Sequence, residues 1–180
     1  MLLNSNKALA GVSMLSALSV IVLMSGAYFF TNTFFFTALA AYLVGYSVNK
    51  YNLKYGSMQL VVCTILDAFL NPDKVNWMLY LALGSYLIIC EWIFRKWNRI
   101  VDIRKKMRRQ LVYNCIVFNV MYIPVIVLFQ EILMGEKAKE VLPENATLCV
   151  VILWVLGQVG WLIYDKAYRV FFQTLQRRKL

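Results

Sequence analysis

Chemistry needs reactive groups at workable spacing, and this chain offers few. It has no histidine, so neither a Ser-His-Asp nor a Cys-His arrangement is available, and no histidine can hold zinc or haem. No G-x-S-x-G, P-loop or H-E-x-x-H pattern occurs. Cys63, Cys90, Cys115 and Cys149 are widely separated within apolar runs, with no C-x-x-C pair. They read as small buried apolar side chains rather than metal ligands. Two carboxylates lie inside apolar stretches, Asp67 and Glu91. Ion pairing with Arg95, four residues on, is the expected role of Glu91. Asp67 begins the run Asp67-Ala-Phe-Leu-Asn71-Pro72-Asp73. Asp67 and Asn71 share a helical face, and Pro72 marks a break after Asn71. That run has two readings: a helix end, or a pair of polar groups facing an outward cavity. Further amides stand in apolar surroundings at Asn114, Asn119 and Gln158, with Trp154 and Trp161 seven apart around Gln158. Amides in such places join neighbouring helices. No enzyme is expected, and no cofactor or metal.

The elements that carry these groups follow from composition. Of 180 residues, 61% are hydrophobic and 16% charged. Soluble domains hold roughly 45–50% apolar and about 25% charged residues, so too little polar surface remains to cover a soluble core. The fold class expected is all-α: a polytopic membrane protein with six transmembrane helices and both termini cytoplasmic. The apolar runs span 8–28, 33–48, 55–70, 75–94, 110–133 and 146–164, each near the length a bilayer requires. The whole chain, 1–180, reads as one transmembrane domain. A basic cytoplasmic loop or interfacial helix is expected over 95–109, and a basic cytoplasmic tail over 166–180.

Charge orients the spans. The net charge is +10. With the N-terminus inside, the four inner segments hold 1, 2, 8 and 5 Lys and Arg, and the outer ones hold Lys74, Lys137 and Lys139. This 16-to-3 split alternates at every loop, as the positive-inside rule demands. Glu131, Glu136, Glu140 and Glu144 gather near or in the last outer loop. The basic segments imply contact with anionic membrane lipid rather than nucleic acid. No internal repeat is visible.

The first apolar run is rich in small residues. Ala10, Ser13 and Ala17 recur on one helical face, and Gly11, Ser16 and Ser19 widen it. Such a face lets another helix approach closely, either from within the protein or from another subunit. The run Lys7-Ala-Leu-Ala-Gly-Val-Ser-Met-Leu-Ser-Ala-Leu-Ser-Val-Ile-Val-Leu-Met24 resembles the first helix of energy-coupling-factor (ECF) transporter S components. These are substrate-binding membrane subunits of vitamin and micronutrient importers. In that family an Ala-x-x-x-Ala motif meets a transmembrane coupling subunit. Ser13 and Ala17 occupy the matching positions, with Ser in place of the first Ala.

The resemblance implies a small-molecule ligand, a coupling subunit and cytoplasmic ATPases as partners, and a multi-pass location in the bacterial plasma membrane. It places the pocket in the outer half, where Asp67, Asn71, Trp77, Tyr80, Gln130, Asn145 and Trp154 are the candidate substrate-binding residues. Ala10, Ser13 and Ala17 are the candidate partner-binding residues. The alternative is a non-enzymatic scaffold that binds proteins or anionic lipids through its basic segments. The discriminating feature is a convergence of buried polar groups in the outer half.

Overall fold

The computed structural model describes residues 2–29, 33–71, 76–96, 103–133 and 146–177. All the regular structure among them is helical: α1 (Leu2–Phe29), α2 (Thr33–Lys50), α3 (Leu53–Leu70), α4 (Asn76–Lys96), α5 (Ile103–Leu133) and α6 (Ala146–Arg177). Three segments within them are long and apolar enough to cross a membrane: Asn6–Tyr28, Leu53–Leu70 and Asn76–Lys96. The outward side chains fit that role. Met14, Ile21, Val61, Ile65 and Phe69 are all exposed, which in water would be a large aggregation-prone patch.

The helix ends have local causes. Only Tyr51 and Asn52 separate α2 from α3, and so short a link makes neighbours antiparallel. Asn52 caps α3, its side-chain oxygen accepting from the Leu53 N–H at 2.8 Å. Gly56 permits the tight return, because a Cβ there would overlap the Val48 side chain and lie 3.2 Å from its backbone nitrogen. At the other end of α3, Asn71 turns extended ahead of Pro72, and its N–H closes on the Asp67 carbonyl at 2.9 Å. Arg95 and Lys96 end α4, where cations favour the helix dipole.

The chain divides into two compact units, residues 1–110 and 111–180. In the first, α2 packs on α1, α3 and α4, and α3 packs on all of the other three. Thus α1 and α4 occupy opposite corners. The central position of α2 explains its small, buried residues, among them Ala38, Ala40, Ala41, Gly45 and Ser47. In the second unit, α5 and α6 meet as an antiparallel pair. Asn114 donates to Asp165 at 2.8 Å, Phe118 stacks on Trp161 at 5.8 Å, and the Tyr122 hydroxyl donates to the Leu153 carbonyl at 3.0 Å. Rising numbers on α5 meet falling numbers on α6.

Part of each basic segment continues a long helix. Residues 103–109 begin α5, and 166–177 complete α6, with no break at the end of the apolar run. No Gly or Pro occurs between Gly160 and Arg177, so nothing stops helix propagation. Residues 97–102, 134–145 and 178–180 lie outside the described residues.

Candidate functional site

Polar groups gather inside the first unit along one face of α3. Gln59, Cys63, Asp67 and Asn71 recur at about one helical turn, and all four are buried. Each level of this face meets polar groups from other helices.

The level at the end of α3 is built around Asp67, only 1% exposed. Its Oδ1 accepts from Asn71 Nδ2 at 2.9 Å, and its Oδ2 accepts from Asn76 Nδ2 at 3.3 Å. Asn76 is the first residue of α4. Its Oδ1 accepts in turn from the Thr37 hydroxyl of α2 at 2.6 Å. Three helices therefore join through one carboxylate and two amides. Asn71 and Asn76 are 1% and 2% exposed, so no bulk water shares these bonds. A typical buried hydrogen bond is worth about 0.5–1.5 kcal/mol net, and leaving such a group unpaired costs about 1–3 kcal/mol.

One turn along, Cys63 donates to the Ser16 carbonyl of α1 at 3.5 Å. Tyr80, one turn after Asn76 on α4, is fully buried beside Cys63 and Ser19. Below it, Gln59 donates to the Ser19 hydroxyl at 3.0 Å and accepts from the Ser47 hydroxyl. At the far end, Asn49 donates to Glu91 at 3.4 Å. Arg95 donates to the Val48 carbonyl and, at 3.2 Å, to Asn52 Oδ1. The guanidinium thus sits at the C-terminal end of α2, where the dipole favours it.

Of the residues singled out for binding, the structure brings Asp67, Asn71 and Tyr80 into one buried core. Trp77 is half-buried in the first turn of α4. Trp154 belongs to the second unit, is 43% exposed, and donates its indole N–H to Asn119 Oδ1 at 3.1 Å. Gln130 lies in α5, but its side chain is outside the described residues, as is the whole of Asn145. The face carrying Ala10, Ser13 and Ala17 is exposed. Gly11, Ser16 and Ser19 turn the other way, with Ser19 fully buried.

Several members escaped the sequence reading. Thr37 and Asn76 complete the Asp67 level, and Ser47 completes the Gln59 level. Asp165, just past the last apolar run, is also buried, accepting from Asn114 and from Arg169 at 2.5 Å. The i, i+4 spacing of Asp165 and Arg169 was its one local signal. The amides of the second unit do join helices, since Gln158 donates to Asn119 Oδ1 at 2.8 Å.

An apolar groove of about 610 Å³ runs along α5, bordered by Val112, Ile116, Asn119, Val120 and Pro124. It contains none of the Asp67 core. Among the described residues no cluster of three or more His, Cys, Asp and Glu side chains forms a metal site. No family model, curated protein or solved structure matches the chain.

Proposed function

We propose that this protein is the substrate-binding membrane subunit of a micronutrient or vitamin uptake transporter, similar to an ECF transporter S component. In this reading it crosses the bacterial plasma membrane six times, with both ends cytoplasmic. It captures a small molecule from outside and passes it on in company with a coupling subunit and cytoplasmic ATPases. It performs no chemistry on the ligand.

One observation carries the reading: Thr37, Asp67, Asn71, Asn76 and Tyr80 converge from three helices in the buried interior of the first unit. Ionisable groups placed within membrane helices are costly and mark functional pathways. A core selected for stability alone holds apolar residues of similar volume, which is often the more stable choice. The exposed small-residue face of α1 supports a docking role for Ala10, Ser13 and Ala17.

The test is purification from native membranes, with mass spectrometry of bound small molecules and proteins. A retained small molecule that is lost in Asp67→Asn, together with a membrane partner lost in Ala17→Leu, is the expected result. Absence of any ligand, with capture of cytoplasmic proteins or anionic lipid through 95–109 and 166–180, would replace uptake with the scaffold role.

A further inference from the structure

One end of the first unit gathers cations that no carboxylate answers. Arg95 ties the ends of α2 and α4 together there, donating to the Val48 carbonyl and to Asn52 Oδ1. The Tyr51 hydroxyl lies against Gly11 of α1, where a Cβ would overlap it. The turn of α1 that begins at Lys7 therefore reaches the same end. Lys7, Lys50, Lys54 and Lys96 are all exposed. Among the described residues none of these four has an ion-pair partner, and the nearby Glu91 accepts from Asn49. Rings hold two of them in place. Lys50 Nζ lies 5.4 Å from the Tyr46 ring centroid and 5.3 Å from that of Tyr51, and Lys96 Nζ lies 5.2 Å from that of Trp92. The opposite end, around Asp67, Asn71 and Asn76, carries no Lys or Arg among the described residues.

We propose that this end of the first unit binds the phosphate of an anionic phospholipid headgroup, with Lys50 and Lys96 as its fixed contacts and Lys7 and Lys54 adding charge. Each ammonium carries three donors, more than its rings engage, so donors remain for phosphate oxygens. Holding the ammonium in advance lowers the entropy lost on binding. Lipid is the source rather than a soluble anion. The helices behind Lys7, Lys54 and Lys96 are the ones long and apolar enough to cross a membrane. Met58, one turn from Lys54, and Trp92, one turn from Lys96, are exposed beside the lysines, an apolar flank that suits acyl chains and not free phosphate. A zwitterionic headgroup has its phosphate charge cancelled, so the attraction selects lipids of net negative charge. The site is assembled from four helices. It stands apart from the uptake reading and, Lys96 aside, from the basic segments 95–109 and 166–180.

The experiment titrates the full chain in mixed micelles with phosphatidylglycerol or with phosphatidylcholine of the same chain length. Bound lipid is counted by native mass spectrometry. Phosphatidylglycerol is expected to bind the more tightly, and less so as salt is raised. Lys50→Gln should weaken it about fivefold, the share of one lysine near an anionic headgroup, with the melting temperature in phosphatidylcholine unchanged. Lys96→Gln should act in the same direction from a separate helix, and Lys50→Arg should keep the affinity. Equal binding of the two lipids overturns the proposal. So does affinity indifferent to both Lys50→Gln and Lys96→Gln. An equal loss on Arg177→Gln, which removes one charge from the tail, would assign the effect to net charge and end the site. Displacement of phosphatidylglycerol by millimolar inorganic phosphate would make this a soluble-anion site and likewise overturn the lipid assignment.

Discussion

Two glycines three residues apart on α6 provide a controlled test of how α5 and α6 pack. A Cβ on Gly157 would fall inside the Tyr122 ring, 2.5 Å from its hydroxyl oxygen and nearer still to two ring carbons. A Cβ on Gly160 meets nothing within 4 Å. Gly→Ala raises helix propensity at both sites by about 1 kcal/mol, and this common gain cancels in the comparison. At Gly157 the Tyr122 ring must move, at an overpacking cost of about 1–3 kcal/mol. Its bond to the Leu153 carbonyl, 3.0 Å long, is then lost, for roughly 1 kcal/mol more. Gly160→Ala should therefore be neutral or stabilising, and Gly157→Ala should fall about 2–4 kcal/mol below it. The assay is reversible unfolding in mixed micelles, followed by tryptophan fluorescence from Trp154 and Trp161 on α6. A double-mutant cycle with Tyr122→Ala isolates the clash, and a coupling of at least about 1 kcal/mol is expected. Two alanine variants within about 0.5 kcal/mol of each other, or an additive cycle, would refute this account of the contact.

Three further outcomes follow from the same structure. Asp67→Ala strands the Asn71 and Asn76 amide donors and should cost about 2–5 kcal/mol, whereas Asp67→Asn recovers much of that because Asn71 can turn its amide; equal losses in thermal unfolding would contradict the arrangement. Ala17→Leu should weaken association with a membrane partner in pull-down while leaving the melting temperature intact, since Ala17 is exposed; loss of folding would place that face inside the protein. In a background without the native cysteines, a cysteine at position 138 should react with an impermeant reagent from outside and one at position 105 only from inside. Outside labelling of position 105 breaks the six-span topology.

The sequence by itself determined the helices. Apolar runs and their bounding Asn, Pro and charged residues are local signals, and the starts of α2 and α6 and the ends of α3 and α5 fall where the runs indicate. It also placed Asp67 and Asn71 on one face, because a spacing of four fixes that within any helix. Tertiary structure alone decided what they meet. Thr37 and Asn76 are 39 residues apart in sequence, Ser19 and Gln59 are 40, and Asn114 and Asp165 are 51. No local pattern says which helices adjoin or how each is rotated. The small residues of α1 show the same limit: periodicity marked a broad stripe, and only packing against α2 and α3 turned Ser19 inward and left Ala10, Ser13 and Ala17 outward. The burial of Asp165 was hidden for a related reason. Hydropathy ends a span at the first charge, but a helix without Gly or Pro runs on, and a charge on its inward face is buried when a partner such as Asn114 meets it there.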